Sequence, residues 1–149
     1  MKPNPRRLDL GLYPYQFDLA PRYSDLDPQM HLNNVRLAEY YQEGRVLFYR
    51  ALKNDFGFEA DGGSRTLVAH VSIDYLAEVR YPQGVKLGIG VTRVGRSSYS
   101  LGLALFQSAQ CVGLALTVMV HTGNQGPIPL PPPLREILQK KLLPQDALA

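Results

Sequence analysis

Residues 34–54 carry a helical pattern that is apolar on almost every side, and this constrains the fold more than any other feature. Val35, Ala38, Tyr41, Leu47, Phe48, Ala51 and Leu52 supply one face, while Leu37, Tyr40, Val46 and Tyr49 make the rest apolar too. A helix of this kind is wrapped by other structure, not laid on a surface. Asn33 or Asn34 can cap its start, and Gly57 can stop it a few residues past its end.

The wrapping must come from strands. Tyr15, Phe17 and Leu19 alternate with Gln16, Asp18 and Ala20, so residues 15–22 predict a strand that Pro21 ends near a sheet edge. Leu67, Ala69, Val71, Ile73, Tyr75, Ala77 and Val79 alternate with positions that include His70, Ser72, Asp74, Glu78 and Arg80, predicting one buried and one wetter face. Three further runs follow, built on Val85 to Val91, Tyr99 to Leu105 and Val112 to Val120. Short turns at Tyr81-Pro82-Gln83-Gly84 and Gly95-Arg96-Ser97-Ser98 make the neighbours antiparallel. The economical solution is an α+β fold: one curved antiparallel β-sheet wrapped around a long central helix, as a single domain over 1–149 with no internal repeat. Residues 1–14, with three prolines, are expected to be a loosely ordered lead-in. Residues 127–149 are expected to be a Pro-rich connector and a C-terminal helix over about 134–142, with Pro133 at its start. The connector reading is preferred to a polyproline ligand for an SH3-type domain.

Composition removes several function classes. A chain of 149 residues suits one domain with a real core. No window approaches the roughly 18–20 unbroken apolar residues of a membrane span, and the basic start does not lead into an apolar signal core, so a cytoplasmic address is expected. The single cysteine, Cys111, excludes an intramolecular disulfide framework and a Cys-based metal cluster, and its apolar run suggests a small buried hydrophobe. A net charge of +3 is too small to argue for nucleic acid. No metal is expected.

Chemistry concentrates in the loop at 24–34. Polar groups there converge on a helix N-terminus, whose free N–H groups and dipole stabilise developing negative charge. An ester or thioester carbonyl becomes an oxyanion when attacked, so such a terminus suits it. Asp25 and Asp27 both lie within reach as the carboxylate that attacks or activates water. The same residues also fit a plain turn with capping side chains.

A resemblance favours the chemical reading. Arg22-Tyr23-Ser24-Asp25-Leu26-Asp27-Pro28-Gln29-Met30-His31-Leu32-Asn33-Asn34, followed by Leu37-Ala38-Glu39-Tyr40-Tyr41-Gln42-Glu43-Gly44-Arg45, closely resembles the 4-hydroxybenzoyl-CoA thioesterase-like branch of the hotdog superfamily. The usual form there is Asp-x-Asp-Pro-x-Gly-His-x-Asn-Asn. Arg93-Val94-Gly95-Arg96-Ser97-Ser98-Tyr99 and the closing Pro-rich segment extend the similarity over about residues 15–142.

The resemblance implies hydrolysis of an acyl-CoA, or an acyl-carrier-protein thioester, to free acid and thiol. Asp27 would be nucleophile or general base, and the Asn34 backbone amide the oxyanion donor. Arg93 and Arg96, with Lys86, are the implied contacts to coenzyme A, although a solvated hairpin tip also explains those arginines. Met30 stands where the family usually has Gly, which commonly supplies a positive φ, and it could line the acyl entrance. Tyr41 and Phe48 are expected beside the acyl chain. His31 is expected mainly to order the loop by hydrogen bonding, with direct participation as the alternative. Glu39 is the fallback carboxylate, since a helix Glu does the work in another branch. His70 and His121 are expected to face solvent or an interface. No cofactor is implied beyond coenzyme A as part of the substrate. The family pairs through its sheets, which implies a homodimer or homotetramer with the site at the subunit interface. The competing readings are a hotdog hydratase or dehydratase and a non-catalytic acyl-CoA-binding hotdog protein.

Overall fold

The structure is a computed structural model that describes residues 2–57 and 63–148. Its elements are β1 (Tyr15–Leu19), α1 (Asn34–Phe56), β2 (Arg65–Tyr75), β3 (Val85–Val94), β4 (Ser98–Gln107), β5 (Gln110–Gly123), β6 (Gly126–Pro127) and α2 (Pro132–Lys140). The sheet order is β1-β3-β4-β5-β2, with β6 paired to the end of β5, and every strand pairing is antiparallel. The turn at 81–84 therefore does not join neighbours as expected, because β2 crosses to pair with β5 while β3 pairs with β1 and β4. The sheet curves around α1, which is the hotdog arrangement expected from the sequence.

One stripe of α1 makes the core. Leu37, Tyr40, Tyr41, Phe48 and Leu52 recur at helical spacing and pack with Leu87, Ile89, Leu101, Leu103 and Leu105 of the central strands. Gly44 lies on this stripe because helix and sheet come very close: a Cβ there would sit 2.5 Å from a Leu87 methyl. The opposite side of the helix is not wrapped. Val35 is 63 % exposed and Val46 41 %, so the all-round apolar pattern overstates how much of α1 this chain covers by itself.

The expected buried face of β2 is only partly present. Leu67, Val71 and Tyr75 are exposed on a strand that ends the sheet, whereas Ile73 and, past the strand, Ala77 and Val79 pack against the core. A register shift between Val68 and His70 interrupts the phase on which strict alternation depends.

The termini cover the other face of the sheet. The lead-in is not loose: it forms 3-10 turns over Pro5–Leu8 and Leu10–Leu12 and buries Tyr13, whose hydroxyl donates to the Arg7 carbonyl at 2.8 Å. Tyr13 packs with Ala104, Phe106, Leu114 and Leu143 as a second core cluster. The Pro-rich connector buries Leu130, whose N–H donates to the Arg96 carbonyl at 2.8 Å, so the segment is held against the domain. The last helix begins at Pro132, two residues before the expected start, and buries Leu134, Ile137 and Leu138. His121 corrects another expectation. It is 1 % exposed, beneath Thr66 of β2, whereas His70 is exposed. Cys111 is half-buried, and burial raises its thiol pKa.

Candidate active site

The loop before α1 takes its shape from two aspartates with different environments. Asp25 is buried, and its carboxylate accepts from the Tyr40 hydroxyl at 2.6 Å, the Arg22 N–H at 3.2 Å and the Arg22 guanidinium. Burial alone would raise its pKa. The hydrogen bonds from Tyr40 and Arg22, with the Arg22 charge, outweigh that and hold it below the ordinary carboxylate value. Asp25 also ties the loop to α1 through its carbonyl, which accepts from Asn33 N–H at 2.9 Å. It is an anchor.

Asp27 is half-buried and closes the next turn. Its Oδ1 accepts from the N–H groups of Gln29 at 2.9 Å and His31 at 3.2 Å. Its own N–H donates to His31 O, and its carbonyl accepts from Met30 N–H. This tight turn forces Met30 to φ +64°. The conformation that glycine would take is therefore kept despite the side chain, at a cost of about 1–2 kcal/mol. The Met30 side chain is 57 % exposed.

Asn33 is the N-cap of α1, its side chain accepting from Val35 N–H at 2.8 Å. Asn34 is the first helical residue, where the backbone N–H has no acceptor within the helix. The Tyr75 hydroxyl donates to the Asn34 carbonyl at 3.0 Å and so fastens the end of β2 to the helix start. Asp27, His31 and Asn34 share one cleft of about 430 Å³ with Leu37, Tyr75 and Glu78. A carboxylate and a helix N-terminus thus meet in one concave site.

Glu78 is the residue that sequence reasoning missed. Its Oε2 lies 3.2 Å from Nε2 of His31. Such a partner fixes the ring's orientation and tautomer. In the sequence Glu78 is only a wet position on a strand, and nothing local links it to a histidine 47 residues earlier.

The remaining candidates do not gather at this cleft. Tyr41 is fully buried in the core, so it does not line the cleft. Phe48 is also a core residue and walls a different cavity, near the start of β2. Glu39 is exposed, paired with Arg36 at 2.9 Å, and lines another hollow with Arg22 and Glu43. Lys86 pairs with Asp18 of β1 at 2.7 Å.

The expected cation cluster is divided by the sheet itself. Lys86 and Arg93 occupy opposite ends of β3, about 23 Å apart at the usual strand rise. Arg93 and Arg96 are exposed at the β3–β4 turn. Through the ladder Val94–Tyr99, Ser98–Val120 and Val120–Leu67, that turn lies at the Arg65 end of β2. The Asp27 cleft lies at the Tyr75 end. Within one chain these arginines are remote from it.

Comparison with known proteins agrees with the fold. Residues 21–141 match the profile of the thioesterase-like superfamily. The PA5185 protein of Pseudomonas aeruginosa strain PAO1 is 29% identical with a TM-score of 0.75, over 89% of this chain and 94% of that one. A thioesterase from Thermus thermophilus, solved with coenzyme A and zinc, is 24% identical with a TM-score of 0.73, over 86% and 93%. A 1,4-dihydroxy-2-naphthoyl-CoA thioesterase from Synechocystis is 16% identical with a TM-score of 0.72, over 84% and 95%. At these identities the last two speak for the fold alone. No match is found among the curated protein sequences.

Proposed function

The chain belongs to the thioesterase-like superfamily, and we propose that it hydrolyses an acyl-CoA thioester, with Asp27 as the carboxylate and the Asn34 N–H as the oxyanion donor. The observation that carries this reading is the meeting of Asp27 with the first turn of α1 in one cleft.

Asp27 Oδ1 is occupied by two backbone N–H groups, so Oδ2 is the oxygen assigned to the chemistry. As general base it takes a proton from water while the hydroxide adds to the thioester carbonyl. As nucleophile it adds directly, giving a mixed anhydride that water then cleaves. In both cases the carbonyl oxygen gains negative charge, and the Asn34 N–H and helix dipole stabilise it before the thiolate leaves. His31, steadied by Glu78, orders the loop.

The working unit in this reading is a homodimer joined through β2. This strand is eleven residues long, ends the sheet, and exposes Leu67, Val71 and Tyr75. A long apolar edge of this kind is a template for another strand. Two-fold antiparallel pairing sets the Arg65 end of one β2 beside the Tyr75 end of the other. Arg93 and Arg96 of one protomer then come toward the Asp27 cleft of its partner, where a guanidinium suits coenzyme A phosphates.

A thiol-release assay over short, long and aromatic acyl-CoAs tests the chemistry, on wild type and Asp27→Asn. Hydrolysis that Asp27→Asn abolishes supports it. Acyl-CoA binding without thiol release, or dehydration of a 3-hydroxyacyl-CoA without hydrolysis, rejects it. Sedimentation equilibrium tests the dimer; a monomer at micromolar concentration rejects it.

A further inference from the structure

A second cavity, of about 630 Å³, opens between α1 and the start of β2. Its walls are largely apolar, with Phe48, Tyr99, Leu101 and Met119 among them. Arg45, Arg50 and Arg65 also line it, and among the described residues no carboxylate does. Arg50 and Arg65 are exposed at the rim, whereas Arg45 is half-buried. The Arg45 guanidinium donates to the hydroxyl of Thr117 at 3.4 Å, and Thr117 is fully buried in the middle of the sheet. Among the described residues, no carboxylate forms an ion pair with Arg45.

Arg45 is half-buried, so its guanidinium is partly shielded from water by apolar walls, with the Thr117 hydroxyl as a neutral partner. A carboxylate entering the cavity would meet the planar fork with two parallel charge-assisted hydrogen bonds. The volume suits a small ligand with an apolar body and one polar end. A diphosphate fits less well, because its several charges call for the exposed rim.

We propose that this cavity is the acyl subsite and that Arg45 selects acyl groups ending in a carboxylate, the half-thioesters of dicarboxylic acids. The inference rests on the thioesterase reading and on the β2-paired dimer. The cavity lies at the Arg65 end of β2 and the Asp27 cleft at the Tyr75 end. Two-fold pairing therefore sets the cavity of one protomer beside the cleft of its partner. The thioester would lie at Asp27 of one protomer and the acyl tail would run toward Arg45 of the other.

The test compares esters matched in chain length: succinyl-, glutaryl- and adipoyl-CoA against butyryl-, pentanoyl- and hexanoyl-CoA. Wild type is expected to prefer the best carboxylate-ended ester over its neutral match by about 10- to 100-fold in kcat/KM, the range of one charged hydrogen bond. Arg45→Met is expected to collapse that ratio, and Arg45→Lys to restore part of it. A wild-type preference for the neutral esters overturns the inference, with no variant needed. So does an Arg45→Met loss that is equal for both series and vanishes with 3′-dephospho-CoA esters, since Arg45 would then hold the nucleotide phosphate. Calorimetry with carboxyalkyl- and alkyl-CoA thioethers of equal length reads the selectivity without turnover. Selective binding with no hydrolysis of any ester rejects the proposed function while upholding the subsite. Hydrolysis without selectivity does the reverse.

Discussion

The hydroxyl of Tyr40 donates a 2.6 Å hydrogen bond to Oδ2 of Asp25, in a buried contact that joins the second turn of α1 to the loop in front of it. This bond is why the loop has one position relative to the helix. Asp27 and Asn34 are held at a fixed separation because the chain on either side of Asp27 is fastened, by Asp25 before it and by Asn33 after it.

Tyr40→Phe removes that bond and leaves a buried carboxylate short of a donor. A loss of about 1.5–3 kcal/mol in unfolding free energy is expected, measured in urea. The pH dependence has a definite sign. The folded pKa of Asp25 lies below its unfolded value, so its stabilisation is complete above about pH 4 and is lost as pH falls through the folded pKa. Tyr40→Phe raises that folded pKa, so the acid-unfolding midpoint of the variant moves to higher pH.

Asp27→Asn separates chemistry from folding. The amide oxygen can still accept from Gln29 and His31 N–H, so the melting temperature is expected to stay close to that of wild type. Turnover is expected to fall by about 10²- to 10⁴-fold, the usual worth of a positioned acid or base. Parallel melting and thiol-release measurements check both halves.

Met30 holds φ +64° in the Asp27 turn. Met30→Val places a β-branched side chain in that conformation and is expected to cost about 1–3 kcal/mol. Met30→Gly relieves the strain but adds freedom to the unfolded chain, so it is expected to change stability by less than about 1 kcal/mol. A denaturant series on the two variants gives the order.

Gly44→Ala tests the close approach of α1 to the sheet. Alanine is the better helix former by about 1 kcal/mol. Here its Cβ would meet both Leu87 methyls, at 2.5 and 2.7 Å, and Leu87 is fully buried, so it must repack within the core. Overpacking of this kind costs about 1–3 kcal/mol. A net fall in melting temperature is expected despite the gain in propensity.

Much of the fold is legible in the sequence because it rests on local periodicity. The apolar spacing of Leu37, Tyr41, Phe48 and Leu52 marks α1, and the alternation of Leu87, Ile89, Leu101 and Leu103 marks the strands it packs on. The lead-in is not legible in this way, because its prolines suggest looseness. In the structure Pro5 starts a 3-10 turn, and Tyr13 finds its buried packing partners about 90 residues or more away. The buried face expected of β2 is only partly present for a related reason. Alternation marks the sides of a strand, but whether either side is covered depends on what lies at the end of the sheet.

The sequence by itself determined the helix, the strand segments, and the presence of Asp27 and Asn34 on either side of a turn before that helix. Those are properties of short segments, set by φ/ψ preferences, capping and apolar period. The sheet order is not among them, since β2 pairs with β5 and not with β3. Only the tertiary structure decided which groups work together. It gave His31 its partner Glu78, put Tyr41 into the core, and set Lys86 at the other end of its strand from Arg93. It also left Arg45 without a described carboxylate in an apolar cavity. These outcomes depend on contacts between segments far apart in the chain. No local pattern encodes them, because the energy of each arises only once the sheet has closed around the helix.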